Sequence, residues 1–340
     1  MIGACMTEQN PLIEEMSARL LAGNRRALAK AITLIENSRP DRRVLANQLI
    51  ANILPQTGKA IRVGISGVPG VGKSTFIEAL GLQLLEQGHK VAVLAVDPSS
   101  KISGGSILGD KVRMEKLSRE KDAFIRPSPS AGSLGGVARR TREAMLLCEA
   151  SGFDVILVET VGVGQSEITV SEMVDCFLVL LLPGGGDEIQ GIKKGIIEMA
   201  DVLVINKADG DMTPAAKRTQ SHYRSALHFL RPKLRGWSPP VKTASAFSGT
   251  GIDEVWSAIT DHRQFLEGNE LLTRIRHEQN DLWFHATLRS ELLDRLYGHA
   301  DVKEKMQILR GEMSRQKKSP HQCAEELIEL FLDHPNQSDS

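Results

Sequence analysis

Hydrophobic and polar positions follow different periods in three parts of the chain. Over residues 8–54 apolar residues recur about every 3.6 positions, which predicts amphipathic helices. The pair Gly23-Asn24 interrupts this pattern, so we expect a second helix to begin there with Asn24 as its N-cap. Asp41 is the predicted N-cap of a third helix. We therefore expect residues 1–57 to form an N-terminal helical arm.

The middle of the chain, residues 58–266, alternates short apolar runs with helical stretches. Six runs rich in β-branched residues are predicted strands, at 61–66, 90–97, 154–159, 176–182, 201–206 and 240–245. Several of these runs are apolar throughout, as expected of strands that are buried on both faces of a parallel sheet. The alternation predicts an α/β fold with a mostly parallel, doubly wound sheet and helices on both sides.

Strand patterns are absent from the last part of the chain, residues 267–340. A helical period from Leu272 to Leu296 predicts one long helix, and residues 302–313 and 322–332 predict two more. The apolar stripe of the long helix needs a partner surface, because an isolated amphipathic helix is marginal in water. Packing against the central domain is one solution. We expect the other, a C-terminal dimerisation element that makes a twofold homodimer.

Composition and charge narrow the classes of partner. Hydrophobic residues make up 41% of the chain and charged residues 25%, as in ordinary globular proteins. The 42 basic residues balance the 42 acidic residues, so bulk charge favours neither nucleic acid nor an anionic membrane as partner. The longest apolar run, 176–182, is too short to span a membrane. Four cysteines without a CxxC pair indicate reduced thiols and a cytoplasmic location.

A glycine-rich stretch directly after the first predicted strand has the pattern GxxxxGK[ST]. Such glycines let the backbone wrap around phosphates, so that successive N–H groups and a helix N-terminus face the anion. Lys73 is expected to reach the β- and γ-phosphates, and the Ser74 hydroxyl to bind Mg²⁺. The predicted nucleotide-binding residues here are Gly67, Val68, Pro69, Gly70, Val71, Gly72, Lys73, Ser74 and Thr75.

Two further motifs predict that the base is guanine. Asn206-Lys207-Ala208-Asp209 follows a predicted strand and matches the NKxD motif of GTPases. The carboxylate of Asp209 can accept hydrogen bonds from guanine N1 and the 2-amino group, which adenine cannot match. Lys207 can cover the base plane, and Asn206 can tie this loop to the phosphate loop. Ser245 and Ala246 resemble the final GTPase signature, whose backbone N–H contacts guanine O6.

The segment Glu159-Thr-Val-Gly162 resembles the DxxG switch of GTPases with Glu in the place of Asp. Gly162 is expected to donate its N–H to the γ-phosphate and so to distinguish GTP from GDP. Glu159 is expected to act on Mg²⁺ directly or through water. Val163 stands where Ras-like enzymes carry a glutamine that orients the attacking water, so intrinsic hydrolysis should be slow.

Several longer stretches extend the resemblance beyond these motifs. AVDPSS (95–100), GGSILGDK (104–111), FIRPSPS (124–130), the segment 148–167 and PGGGDEIQGIKKG (183–195) resemble the MeaB/ArgK family of GTPases. The resemblance implies hydrolysis of GTP to GDP and phosphate, a homodimer, and association with methylmalonyl-CoA mutase or a close relative. The mutase's adenosyltransferase is a further candidate partner. Cobalamin would be reached only through the mutase.

The resemblance also implies site residues that the motifs alone do not provide. Asp97 and Asp110 would join Ser74 and Glu159 around Mg²⁺ and the γ-phosphate, with Lys73, Asp110, Glu159 and Gly162 as the catalytic set. An ordinary loop aspartate is the alternative for Asp110. A glycine-rich loop that the family uses as a third switch holds four partner-coupling candidates, for which a surface turn is the alternative: Asp187, Glu188, Gln190 and Lys193.

The motifs predict a Mg²⁺-dependent GTPase, and the family resemblance implies that it acts as a chaperone. It would gate the loading of adenosylcobalamin into a cobalamin-dependent acyl-CoA mutase, and protect or reactivate that enzyme. One alternative is a small-molecule kinase, after the older family label of lysine/arginine/ornithine transport. A metal-insertion GTPase is another, weakened by the absence of a His/Cys ligand pattern. Methylmalonyl-, isobutyryl- and ethylmalonyl-CoA mutases all remain open as the client.

Overall fold

A computed structural model describes residues 10–37, 39–96, 114–127, 134–160, 166–184, 194–230 and 232–333. The chain divides into two compact units, Met1–Gln279 and Asn280–Ser340. The first unit contains a parallel sheet and the helices around it, and the described residues of the second are helical. The three-part division expected from the sequence, at residues 57 and 266, stays a prediction.

The sheet has seven strands, and each pair of neighbours is parallel. The strands are β1 Ile61–Gly67, β2 Val91–Val96, β3 Ala123–Arg126, β4 Val155–Thr160, β5 Cys176–Leu181, β6 Val202–Ile205 and β7 Val241–Thr243. Their order across the sheet is β3-β2-β4-β1-β5-β6-β7. The predicted α/β fold is therefore confirmed. Because β1 lies in the centre, between β4 and β5, the loop that follows it opens at the middle of the carboxyl edge.

One strand was not predicted from the sequence. β3 has only four residues and forms the edge of the sheet, where it pairs with β2 alone. Its sequence has only three consecutive apolar residues, Ala123 to Ile125, before Arg126 and Pro127, so neither an alternating nor an extended apolar pattern marks it as a strand. The structure therefore adds one edge strand to the six that the hydrophobic pattern indicated.

Thirteen α-helices are present among the described residues. In the first unit they are α1 Pro11–Leu21, α2 Arg25–Glu36, α3 Pro40–Ile53, α4 Lys73–Glu86, α5 Glu115–Arg119, α6 Leu134–Ala150, α7 Ser166–Ser171, α8 Lys194–Met199, α9 Thr213–Leu227 and α10 Ile252–Gly268. α11 Leu271–Gly298 runs from the first unit into the second, which also holds α12 Ala300–Ser314 and α13 Pro320–Asp333. Short 3-10 turns occur at Leu54–Gln56 and Gly210–Met212. The three predicted C-terminal helices are confirmed, and none of the described helices is long and apolar enough to cross a membrane.

The helix caps of the N-terminal region agree with the sequence in one case and not in the other. The Asn24 carboxamide oxygen accepts hydrogen bonds from the N–H groups of Arg26 and Ala27, so this predicted cap is confirmed. The expectation for Asp41 was wrong, because Arg39 is the N-cap and Pro40 is the first residue of α3. Proline favours the first helical position, where its missing N–H costs nothing. Asp41 therefore lies inside the first turn.

A buried ion-pair network lies at the amino edge of the sheet. Asp175, just before β5, accepts hydrogen bonds from Arg276 at 2.7 and 2.8 Å and from the Arg62 N–H at 3.0 Å. Arg263 lies 3.4 Å from the same carboxylate, and the Arg62 guanidinium pairs with Glu149 at 2.5 Å. Burial raises the pKa of Asp175, but hydrogen bonds and charge attraction from Arg276 and Arg62 outweigh it, so the pKa lies below its ordinary value.

Candidate functional site

The glycine-rich loop lies between the end of β1 and the start of α4. Gly70 and Gly72 have φ values of 79° and 91°, in the left-handed region that favours glycine. A Cβ atom on Gly67 would lie 2.6 Å from the Leu180 carbonyl oxygen, and one on Gly72 would lie 3.0 Å from the Asn206 side-chain nitrogen. The loop therefore needs glycine at these positions, and it presents backbone N–H groups beside a helix N-terminus.

Lys73 is the first residue of α4 and is buried. Its ammonium group donates to the Gly67 carbonyl at 2.8 Å and to the Val68 carbonyl at 3.3 Å. The positive charge is thus held across the loop by backbone carbonyls, where a phosphate group could compete for it. This is the placement that the GK[ST] pattern predicted for a phosphate-binding lysine.

Ser74 and Glu159 meet at the carboxyl edge of the sheet. The Ser74 hydroxyl donates a hydrogen bond to Glu159 Oε1 at 2.9 Å, and Glu159 is buried, at only 8% exposed. Glu159 precedes the last residue of β4, level with Ile65 of β1 and Ala95 of β2. A hydroxyl and a carboxylate are hard oxygen ligands, so these two side chains fit a site for Mg²⁺.

Asn206 joins three segments of the candidate site. Its backbone N–H donates to Leu181 at the end of β5 at 2.9 Å. Its side-chain nitrogen donates to the Val71 carbonyl of the glycine-rich loop at 2.8 Å, and its side-chain oxygen accepts from the Ala246 N–H at 3.2 Å. One fully buried amide therefore fixes the phosphate loop relative to the two loops of the predicted base site.

The other two residues of the NKxD motif project from the same loop. Lys207 has a φ of 57° and donates its ammonium to the Gly70 carbonyl at 2.8 Å. Asp209 is partly buried, and its Oδ1 accepts from the Ser245 hydroxyl at 2.6 Å. Ser245 is itself buried, and its N–H donates to the Thr250 carbonyl at 2.9 Å. Ser245 therefore holds the orientation of the Asp209 carboxylate.

Sequence reasoning missed two features of this region. It assigned the 245–246 pair to the base through backbone groups, whereas the Ser245 side chain also binds Asp209. It also passed over Phe247, which follows Ala246 and is 90% exposed. An aromatic side chain this exposed beside the predicted base loop is a candidate stacking surface. Nothing in the hydrophobic period marks it, because a single exposed ring has no periodic partner.

The structure brings together the predicted residues of the phosphate loop, Glu159 and both base loops. The remaining candidates lie outside the described residues: Asp97, Asp110, Gly162, Asp187, Glu188, Gln190 and Lys193. On the N-terminal side of the predicted third switch the last described residue is Gly184, whose N–H donates to the Thr219 hydroxyl at 3.0 Å. Gly184 has a φ of 88°, in the region that favours glycine.

Comparison with known proteins gives matches along most of the chain. A family model described as "Methylmalonyl Co-A mutase-associated GTPase MeaB" matches residues 28–301. The protein named GTPase ArgK of Escherichia coli is 50% identical over 289 residues, which is 85% of this chain and 87% of that protein. The Mus musculus protein named "Methylmalonic aciduria type A homolog, mitochondrial" is 46% identical over 335 residues, 95% of this chain and 80% of that protein.

A solved structure described as a LAO/AO transport system kinase has the same fold over nearly the whole chain. It is 40% identical, with a TM-score of 0.73, and the match covers 97% of this chain and 100% of that one. The family match includes the glycine-rich loop, Glu159 and both base loops. The similarity therefore extends to the whole candidate nucleotide site as well as to the sheet.

Proposed function

This chain belongs to the methylmalonyl Co-A mutase-associated GTPase MeaB family, and from that premise we propose that it is a Mg²⁺-dependent chaperone of a cobalamin-dependent acyl-CoA mutase. GTP hydrolysis would gate the loading of adenosylcobalamin into the mutase and support its protection and reactivation. The observation that carries the proposal is the family match over residues 28–301, which spans every motif of the candidate nucleotide site. The mitochondrial mouse relative, whose name refers to methylmalonic aciduria, also supports a client that handles methylmalonyl groups.

We assign the nucleotide to the carboxyl edge of the sheet. The backbone N–H groups of the glycine-rich loop would hold the phosphates, and Lys73 would turn from the Gly67 and Val68 carbonyls to the β- and γ-phosphates. Asp209 would accept from guanine N1 and the 2-amino group, with its carboxylate held by Ser245. Lys207 would cover the base.

We assign Mg²⁺ to Ser74 and Glu159, together with Asp97 and Asp110 from the sequence. When bound, the ion would supply positive charge that neutralises the phosphates. The fit is supported by the chemistry of the two side chains, because a carboxylate and a hydroxyl are the oxygen ligands that Mg²⁺ prefers. The Ser74 hydroxyl and the Glu159 carboxylate, 2.9 Å apart, are already close enough to share one cation.

Coupling to the mutase would depend on two segments that follow strands of the core. Gly162 would sense the γ-phosphate after β4, while Asp187, Glu188, Gln190 and Lys193 would form the partner-facing loop after β5. The hydrogen bond from the Gly184 N–H to the Thr219 hydroxyl anchors the start of that loop to α9. Val163 offers no group to orient water, so the free protein should hydrolyse GTP slowly, at about 10⁻⁴–10⁻² s⁻¹.

A homodimer is the proposed assembly. The part of α11 that lies in the second unit exposes a set of large apolar side chains. They are Leu282, Phe284, Leu288, Leu292, Leu293 and Tyr297, each at least 43% exposed. A cluster of this kind on one helix supports an interface with a second copy. Light scattering should give twice the monomer mass, and Leu288→Asp with Leu292→Asp should give a monomer that still binds GTP. A monomeric parent protein would refute this assembly.

A kinase is the second candidate, because the solved structure that is 40% identical is described as a LAO/AO transport system kinase. The two functions differ in the fate of the γ-phosphate. A GTPase releases it as free phosphate, whereas a kinase transfers it to an acceptor. Incubation with γ-labelled GTP and lysine, arginine or ornithine distinguishes them, since only the kinase would give a labelled organic product.

The central experiment measures GTP turnover and cofactor loading with and without a purified methylmalonyl-CoA mutase. We expect the mutase to stimulate phosphate release and the protein to make adenosylcobalamin loading depend on the nucleotide. A cobalamin-independent acyl-CoA enzyme is the matched control and should give no stimulation. Fast turnover that is indifferent to the mutase, with loading unaffected by GTP, would contradict the proposal. Capture on a tagged isobutyryl- or ethylmalonyl-CoA mutase would identify a different client.

A further inference from the structure

A second cluster of reactive side chains lies away from the nucleotide site. It consists of Cys176 at the start of β5, Asp201 just before β6, and His262 in α10. The Cys176 sulfur, an Asp201 oxygen and a His262 nitrogen all lie within 4.8 Å of one another, and each residue is at most 2% exposed. Three elements that are distant in the sequence therefore bring a thiol, a carboxylate and an imidazole to one buried point at the amino edge of the sheet.

The imidazole of this cluster lacks the partners that a buried polar group requires. Neither ring nitrogen of His262 has a hydrogen-bond partner among the described residues. Its Nε2 lies 3.7 Å from Asp201 Oδ1, which is too long for a hydrogen bond. Buried polar groups are nearly always satisfied, so an unpartnered imidazole directed at a carboxylate and a thiol needs an explanation.

Neighbouring groups contact two residues of the cluster, Asp201 and His262. Asp201 Oδ2 accepts from the Phe177 N–H at 2.8 Å. The Trp237 indole N–H donates to the Asp201 carbonyl at 2.9 Å, and the Trp237 ring packs edge-on against His262 with 4.8 Å between ring centres. Outer contacts of this kind orient metal ligands in proteins and raise the affinity of their sites.

The partly exposed side chain of Lys233 lies between the cluster and solvent. Lys233 donates to both carboxylate oxygens of Asp201, at 2.9 and 3.1 Å, while 36% of its side chain is exposed. Lys233 and Trp237 also line a cavity of about 390 Å³. The ammonium group thus stands between the cavity and the cluster, and it supplies the positive charge that balances Asp201. If Lys233 turned into the cavity, a cation could take its place.

We propose that Cys176, Asp201 and His262 form a binding site for a divalent transition-metal ion, with Zn²⁺ as the best chemical fit. Thiolate, imidazole and carboxylate are the ligands that Zn²⁺ prefers, whereas Mg²⁺ prefers oxygen alone. Bond lengths of about 2.0–2.3 Å place tetrahedral ligand atoms about 3.5 Å apart, so the cluster must contract by about 1 Å. A water molecule from the cavity would complete the tetrahedron.

The charges of this exchange balance. Before binding, the neutral thiol and imidazole accompany the Asp201 carboxylate and the Lys233 ammonium. Zn²⁺ binding releases the thiol proton to solvent, and the ion is neutralised by the resulting thiolate and the carboxylate. Lys233 then moves its charge into the cavity. The bound ion would link β5, β6 and α10, and its affinity should rise when Lys233 no longer competes.

The test uses the full-length, tag-free protein stripped with a chelator, in excess Mg²⁺ so that the nucleotide site is saturated. Competition with a chromogenic chelator should give one Zn²⁺ per chain, and Zn²⁺ should raise the melting temperature. Co²⁺ in its place should give a thiolate-to-metal charge-transfer band. We expect Cys176→Ser and His262→Gln each to weaken binding at least about tenfold. Cys148→Ser, at another buried cysteine, is the matched control and should change nothing.

A further variant keeps the proposal testable if the first two fail to fold. Lys233→Met removes the competing ammonium and should tighten Zn²⁺ binding about tenfold, while a purely structural ion pair predicts no gain. Absence of stoichiometric Zn²⁺ binding by the parent protein would overturn the site. So would binding that survives both Cys176→Ser and His262→Gln, or a Co²⁺ complex without a thiolate band. These outcomes are independent of GTP hydrolysis, so they leave the proposed chaperone function as it stands.

Discussion

Two groups of charged residues, one at each edge of the parallel sheet, differ in the kind of partner that each charge has. At the amino edge, Asp175 is enclosed by arginines, and Arg62 pairs with Glu149. At the carboxyl edge, Lys73 bonds to backbone carbonyls and Asp209 bonds to the Ser245 hydroxyl. The Asp175 carboxylate is neutralised by arginine side chains, so it has no charge to offer a ligand. Lys73 and Asp209 make hydrogen bonds with neutral groups, which a bound nucleotide could replace. The kind of partner therefore distinguishes the Asp175 network from the candidate nucleotide site.

The largest loss of stability is expected from a substitution that breaks the ion-pair network around Asp175 at the amino edge. Asp175→Asn would leave the largely buried Arg276 guanidinium without its carboxylate partner, whereas Arg62 would keep Glu149 and Arg263 would keep Glu267. Breaking such a buried pair costs about 3–5 kcal/mol of unfolding free energy. Denaturant unfolding measures the loss. Asp154→Asn is the control at the same edge, since its side chain is 52% exposed beside His89 and should cost about 1 kcal/mol or less. Equal stability of Asp175→Asn and the parent would remove the distinction between the edges.

The same carboxylate predicts a dependence of stability on pH. The pKa of folded Asp175 lies below its ordinary value, so the unfolded chain takes up the proton more readily. The stabilisation is complete above the unfolded pKa of about 4 and is lost as the pH falls towards the folded pKa. Urea unfolding between pH 7 and pH 3 should show this acid loss in the parent. Asp175→Asn should lack it, and an identical acid profile in both proteins would contradict the network.

A substitution of Lys73 at the carboxyl edge should reduce GTP hydrolysis and leave the stability of the fold nearly unchanged. Lys73→Ala removes the ammonium that would stabilise charge on the transferred phosphate, so GTP hydrolysis should fall by about 10²–10³-fold. The lost contacts include two hydrogen bonds to backbone carbonyls, and we expect the free energy of unfolding to change little. Phosphate release and thermal unfolding test both statements. Lys217→Ala, an exposed lysine on α9, is the matched control. Unimpaired hydrolysis by Lys73→Ala would place the chemistry elsewhere.

Base choice should respond to the carboxylate of Asp209 in a smaller but more specific way. Asp209→Asn replaces an acceptor with an amide that can donate, so it should match xanthine better than guanine. Each unpaired polar group that results should cost about 1–3 kcal/mol of GTP affinity. Competition of GTP, XTP and ATP against a fluorescent nucleotide measures the relative affinities for the three bases. A parent protein that binds ATP and GTP equally, or a variant that gains nothing for XTP, would contradict the guanine assignment.

The contrast between the edges also explains what the sequence could predict. The phosphate-binding motif consists of eight consecutive residues, Gly67 to Ser74, so its spacing identifies it without knowledge of the fold. The amino-edge contacts join residues far apart, since Arg62 and Glu149 are 87 positions apart and Arg276 and Asp175 are 101 apart. No local spacing encodes such pairs, and only the parallel topology brings them together.

Local signals were reliable where the contact itself was local. Asn24 caps the residues two and three positions after it, so its role follows from the sequence alone. Asp41 offered the same signal, but Pro40 took the first helical position and moved the cap to Arg39. The Ser245–Asp209 contact spans 36 positions, which is why sequence reasoning gave Ser245 only a backbone role.

Loss of the Ser245–Asp209 hydrogen bond should give the smallest predicted change, and it tests how Asp209 is held in the candidate nucleotide site. Ser245→Ala removes one hydrogen bond to Asp209 while leaving the carboxylate in place, so GTP affinity should fall by the net value of one hydrogen bond, about 0.5–1.5 kcal/mol. The preference for guanine over xanthine should persist, because the acceptor that reads the base is unchanged. Ser248→Ala is the matched control, since its exposed hydroxyl contacts Thr250 and has no bond to Asp209 among the described contacts. If Ser245→Ala instead switched the base preference, Ser245 would contact the base itself. The assignment of base recognition to the Asp209 carboxylate, with the Ser245 hydroxyl only holding its orientation, would then be wrong.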